Sequence, residues 1–197
     1  MAKNRYNSSR RKHEKPKKFI VVATEGEKTE RIYLDQFKPP RDSSVQLKVL
    51  PNWQHKTHPK DVLKKLKAYV KTNYVGPEDE LWLMIDRDSW DEAELNEVAA
   101  EAVKCSFHMA LSNPCIEYWF YLHLRDNKPF NHRHQLLPEM EKMLGSYGKG
   151  NYDAARLAKE VDAAIARAEK LDTKPNEPWP RQQGTQVHRL MKKLLGR

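Results

Sequence analysis

Residues 18–30 read KFIVVATEGEKTE. A short run of apolar and β-branched residues stops at Thr24, and an acid, a glycine and another acid follow. Such a run, bounded by charge, predicts a strand over 18–24. The question is why it ends in Glu25-Gly26-Glu27, and the rest of the chain bears on the answer. Residues 27–37 carry Ile32, Tyr33, Leu34 and Phe37 and predict a helix. Residues 44–51 alternate Val45, Leu47 and Val49 and predict a half-buried strand. Residues 59–74 open with Pro59 and repeat Val62, Leu63, Leu66, Tyr69 and Val70 at helical spacing. LWLMIDRD, 81–88, is the strongest strand of the chain. A helix over about 91–103 follows, then a strand over 106–113 and an aromatic helix over 114–124. The alternation β-α-β-α-β-α-β-α predicts an α/β fold with a parallel sheet flanked by helices.

In such sheets ligands bind outside the C-terminal ends of the strands. Glu25 lies just past the first predicted strand, and Asp86 and Asp88 end the third. Side chains alternate along an extended segment, so Asp86 and Asp88 are expected on one side with Arg87 opposite. If the first and third strands are neighbours, three carboxylates meet. Like charges brought together call for a cation, and Mg²⁺ suits oxygen ligands at about 2.0–2.1 Å while keeping waters. Gly26 lets the backbone turn and leaves room beside the acid. Thr24 and Glu27 also fit a capping box, so this stretch reads equally as a helix start. Asn113-Pro114 predicts another helix start, with Asn113 as the cap. Glu117 then falls near the positive helix end, either as a first-turn acid or as a member of the site.

VATEGEKTE (22–30), MIDRD (84–88) and ALSNPCIEYWFYLHL (110–124), in that order, resemble RloB-type proteins, whose core is a Toprim-like domain. The resemblance covers about residues 17–124, and GTQVHRLMKKL (184–194) is similar as well. It implies a Rossmann-like Toprim core over 18–124 with a helical extension over 125–197 packed on it. It implies Mg²⁺, or Mn²⁺, held by Glu25, Asp86 and Asp88, which match the Toprim glutamate and aspartate pair. Gly26, Lys28 and Glu117 stand around them. The activity it implies is phosphodiester cleavage of DNA or RNA in anti-phage defence, with an ABC- or AAA-type ATPase as partner. No GxxxxGK[ST] phosphate loop occurs in the sequence, so the ATPase would be a separate chain. The other readings of the same acids are a non-catalytic metal- or nucleotide-binding regulator of that ATPase and a nucleotidyl or phosphoryl transferase.

The formal charge of +9 is concentrated at one end. Residues 1–18 hold eight of the basic side chains, Arg10, Arg11 and Lys12 among them, against one acid. Residues 1–17 read as a basic, disordered arm, there for solvation or for phosphate contact with nucleic acid. No apolar run approaches the roughly 20 residues of a membrane helix, and no signal peptide is visible. Cys105 and Cys115 lack metal-ligand spacing and read as reduced core thiols. Together these predict a soluble, cytoplasmic protein. His55, His58, His132 and His134 are expected on the surface, His123 in the core, and His188 is left undecided. Lys149, like Lys28, is a lysine within reach of a phosphate or merely solvated. Trp53 and Trp179 are either base-stacking or packing residues.

Overall fold

A computed structural model describes residues 17–52, 58–130, 132–148 and 150–197. Arg10, Arg11, Lys12, Trp53, His55 and Lys149 lie outside the described residues. In chain order the elements are β1 (Lys18–Thr24), α1 (Thr29–Asp35), β2 (Val45–Leu50), α2 (Pro59–Thr72), β3 (Glu80–Asp86), α3 (Glu92–Lys104), β4 (His108–Asn113) and α4 (Ile116–Leu124). After these come α5 (Arg133–Leu144), α6 (Ala154–Lys159), α7 (Val161–Leu171), β5 (Gly184–Thr185) and α8 (Val187–Leu195). The strand order is β2-β1-β3-β4-β5, parallel except for β5. This is the α/β fold expected from the alternation of elements.

Both faces of the sheet are covered, which is why its strands are apolar throughout. Ile20, Val22, Trp82, Met84 and Ala110 face one core, closed by α1, α4, α5, α7 and α8. Val21, Ala23, Leu83, Ile85 and Leu111 face the other, closed by α2 and α3 and by Trp179. The alternation of neighbouring residues between two cores is the two-residue period of a strand. No helix among the described residues is long and apolar enough to cross a membrane.

Several expectations at element ends need correction. β3 stops at Asp86, so Asp88 is not part of an extended segment. The Arg87 N–H donates to the Ser112 carbonyl and the Asp88 N–H to the Pro114 carbonyl, and Asp88 takes a positive φ of 39°. The chain has turned, and strand alternation no longer relates Asp86 to Asp88. The cap of α4 is Cys115 without a side-chain bond, not Asn113. The Asn113 amide instead donates to the carbonyls of Pro180 and Arg181, at 3.0 and 3.2 Å. Residues 154–171 form two helices, α6 and α7, because the Glu160 N–H bonds to the Leu157 carbonyl three residues back and ends α6. Two residues inside a predicted helical tail, Gly184 and Thr185, form β5 against β4. Residues after 124 thus complete the sheet edge and enter both cores.

Candidate functional site

The connection from β2 to β3 crosses β1, so the strand order reverses between β1 and β3. At such a switch point the loops leave in opposite directions and open a crevice at the C-terminal edge. Thr24 is paired with Met84 there, and the Glu25 N–H still donates to the Met84 carbonyl at 3.1 Å. Glu25 therefore stands directly beside the end of β3. Its Oε2 accepts the backbone N–H of Asp86 at 3.0 Å. A pocket of about 330 Å³ opens here, lined by Glu25, Lys28, Glu30, Asp86, Glu117 and Arg133, among others.

Glu30, which the sequence reading passed over, belongs to this cluster. It is 4% exposed, and its Oε1 accepts the Gly26 N–H at 3.0 Å. A Cβ on residue 26 would meet Glu30 Oε2 at 2.3 Å. A side chain at residue 26 would therefore displace the Glu30 carboxylate, which lies over the Gly26 Cα. The capping box does not form. Thr24 Oγ1 donates to the Gly26 carbonyl, α1 is capped by Lys28 without a side-chain bond, and Glu27 is exposed. The acid that reaches back to the backbone is Glu30, four residues after the glycine. Only its position on the inner face of α1 distinguishes it from Glu27, and a helical wheel from Thr29 onward is the signal that finds it.

Glu117 also enters the pocket. It is 2% exposed, and Tyr147 donates its hydroxyl to Glu117 Oε1 at 3.1 Å. Glu117 Oε2 is buried with no hydrogen-bond partner. Arg133 spans the cluster, with Nη1 at 3.3 Å from Asp88 Oδ2 and Nη2 at 3.7 Å from Glu117 Oε1. Asp88 itself is exposed and does not line the pocket. Lys28 is exposed at the rim, its stem against Gly150. Tyr152 ties the same loop to α1 through the Thr29 carbonyl at 2.7 Å.

The electrostatics follow from this crowding. Burial, together with the charges of Glu30 and Asp88, pushes the Glu25 carboxyl up to about 7, against the opposing Asp86 N–H and Arg133. Burial and then Glu25, Glu30 and Glu117 push the Asp86 carboxyl well above the usual range. Burial beside Glu117 likewise raises the Tyr147 hydroxyl. Lys65, on α2, reaches the same strand end, where its Nζ donates to the Thr24 carbonyl at 3.0 Å.

A hard divalent cation suits this donor set. The oxygens are carboxylate, they raise one another's proton affinity, and one buried oxygen, Glu117 Oε2, has no donor. Among the described residues no three carboxylate, imidazole or thiol groups already converge as a finished ligand set. Three of the acids are turned to protein donors instead: Glu25 to the Asp86 N–H, Glu30 to the Gly26 N–H, and Glu117 to Tyr147 and Arg133.

The family model described as RloB-like protein matches residues 20–194. This chain belongs to the RloB-like family. No match was found among curated proteins or among solved structures. The match takes in the C-terminal helices as well as the sheet; from beyond α4, Arg133 lines the pocket and Tyr147 bonds to Glu117.

The remaining sequence candidates do not line the pocket. His123 is buried, its Nδ1 bonded to the Trp119 carbonyl at 2.9 Å and its Nε2 to the Tyr33 hydroxyl at 3.0 Å. His188 is buried too, with Nδ1 bonded to the Thr185 carbonyl and Nε2 3.4 Å from Asp172. Trp179 is fully buried, so it packs. His132 and His134 are exposed as expected. His58 is not: it is half-buried and caps α2, its Nδ1 accepting the Lys60 N–H at 3.1 Å. Both cysteines are free, Cys115 buried and Cys105 only partly so.

Proposed function

We propose that this RloB-like protein is a Toprim-type, Mg²⁺- or Mn²⁺-dependent phosphodiesterase. Its substrate is DNA or RNA, its partner a separate ABC- or AAA-type ATPase, and its setting anti-phage defence in the cytoplasm. The observation that carries the reading is the Glu25–Asp86 junction at the β1/β3 switch point, inside a pocket of mutually repelling carboxylates. Glu25 and Asp86 would hold the cation, with Asp88 at the turn beyond β3 and Glu117 offering its unpartnered oxygen. A divalent cation supplies charge neutralisation at a phosphodiester and activation of water. The chain's own share is visible in its residues. Glu25 is fixed at the end of β1 by the Asp86 N–H, which its Oε2 accepts. Gly26 gives Glu30 its place, and Arg133 offsets the negative charge of Asp88 and Glu117.

The test is Asp86→Asn, which keeps shape and removes one charge. Asp91→Asn is its control, since Asp91 caps α3 through the Ala93 N–H and lies outside the pocket. Metal titration, nucleic-acid cleavage and thermal melting are measured on both. Asp86→Asn is expected to bind Mg²⁺ more weakly, to lose cleavage steeply, and to melt at or above the parent temperature. Equal metal binding and cutting by both variants overturns the reading. Loss of metal by Asp86→Asn while the parent, with its ATPase, cuts nothing leaves a regulatory metal-binding module.

A further inference from the structure

Arg133 is the first residue of α5, and its side chain is 23% exposed. It and Lys28 are the cationic residues that line the pocket, and Lys28 stands exposed at the rim. A guanidinium has five N–H donors in a planar fork. Here one nitrogen meets Asp88 at 3.3 Å and another approaches Glu117 only to 3.7 Å. These are single, long contacts to two different acids, not the paired short bonds that a fork makes with one carboxylate. Among the described residues its side chain makes one hydrogen bond, to Asp88. Arg133 is held between two acids, with neither of which it makes a paired contact.

We propose that Arg133 binds a non-bridging oxygen of a nucleic-acid phosphodiester in this pocket. The inference rests on the phosphodiesterase reading, for it names the group that seats the phosphate there. The chemistry is consistent with the setting. A phosphodiester carries one negative charge and would be repelled by Glu25, Asp86 and Glu117 alone. Arg133 is the half-buried cation among them, and the planar fork matches phosphate geometry. Were a cation to offset the charge of the acids, Asp88 and Glu117 would hold the guanidinium less tightly and leave it for the substrate.

The experiment reads binding and not cleavage. Fluorescein-labelled single-stranded oligonucleotides, ten residues long, are titrated with the full chain in EDTA and in Ca²⁺, and anisotropy is followed. One set carries a neutral methylphosphonate at each linkage in turn. Arg133→Gln is expected to weaken binding about tenfold. Lys104→Gln, an equal change of charge on exposed α3, is expected to leave it within twofold. One methylphosphonate position is expected to weaken the parent about tenfold and Arg133→Gln hardly at all, because the two changes remove the same interaction. Arg133→Lys keeps the charge without the fork and is expected to fall between parent and Arg133→Gln.

Parent-like binding by Arg133→Gln, losses that add at every position, or a parent that binds no oligonucleotide overturns the inference. Should Arg133→Gln fail to fold by thermal melting, Arg133→Lys decides, and parent-like binding with additive losses overturns it. Coupled losses in a protein that never cleaves would uphold the Arg133–phosphate interaction and sink the phosphodiesterase reading. Normal cleavage with uncoupled losses would do the reverse.

Discussion

The Glu30 carboxylate occupies the space that a side chain on residue 26 would need. Its Oε2 is 2.3 Å from where a Cβ would stand, and its Oε1 accepts the Gly26 N–H. Gly26→Ala must therefore expel Glu30 from its buried place. The expected cost is about 1–3 kcal/mol, that of losing a hydrogen bond to a charged group. In Glu30→Ala the space is already clear, so the two substitutions together should cost less than the sum of each alone. Urea denaturation of the four proteins checks this, and additive losses would refute it.

His123 sets one pH dependence of stability. The Trp119 carbonyl can only accept, so Nδ1 carries the proton and Nε2 accepts from the Tyr33 hydroxyl. Burial lowers this histidine from 6.5 to about 4. Between those values the unfolded chain binds the proton and the fold does not. Stability is thus full above pH 6.5 and is lost as pH falls through 4, by about 3 kcal/mol. The raised carboxyls of Glu25 and Asp86 act the other way, favouring the fold as pH falls. The His123 share is isolated by comparing the parent with His123→Phe. The stability difference between them should shrink by about that amount from pH 7 to pH 4.

Trp179 anchors the chain between α7 and β5. It is fully buried against the α3 side of the sheet, and its Nε1 donates to Asn96 at 3.2 Å. Arg181 lies 3.9 Å over its ring. Trp179→Ala should cost about 3–5 kcal/mol, as for other large buried aromatics. Trp179→Phe keeps most of the packing and should cost about 1 kcal/mol for the lost hydrogen bond. Chemical denaturation separates the two. Full binding of nucleic acid by a folded Trp179→Phe protein is also expected, since the ring packs inside.

Deletion of residues 1–17 tests the basic arm. If Arg10, Arg11 and Lys12 meet phosphates, affinity for duplex DNA should fall. The slope of log affinity against log salt should flatten by about 0.9 for each phosphate that the arm neutralises. An unchanged slope would assign those charges to solvation alone.

Much of this architecture was legible in the sequence, because its signals are local. An apolar run bounded by charge forms β1 and β3, and helical spacing from Pro59 forms α2. The positions of Glu25 and Asp86 at strand ends could be read in the same way. Glu30 was passed over because an acid in a charged stretch looks solvated until the inner face of α1 is known. Arg133 was missed for a different reason: it lies 45 residues after Asp88 in a polar segment with no motif.

By itself the sequence determined the order of elements, the buried period of the strands, and the acids that end β1 and β3. Each depends on neighbours within a few residues, where burial preference and backbone geometry act directly. The tertiary structure decided what meets across the chain: β1 beside β3 at the switch point, Glu30 over Gly26, and Arg133 between Asp88 and Glu117. It also turned the chain after Asp86, through bonds to Ser112 and Pro114, and so separated two aspartates that an extended strand would have aligned. Such meetings are selected by packing and by the neutralisation of buried charge, which depend on distances that sequence spacing does not record.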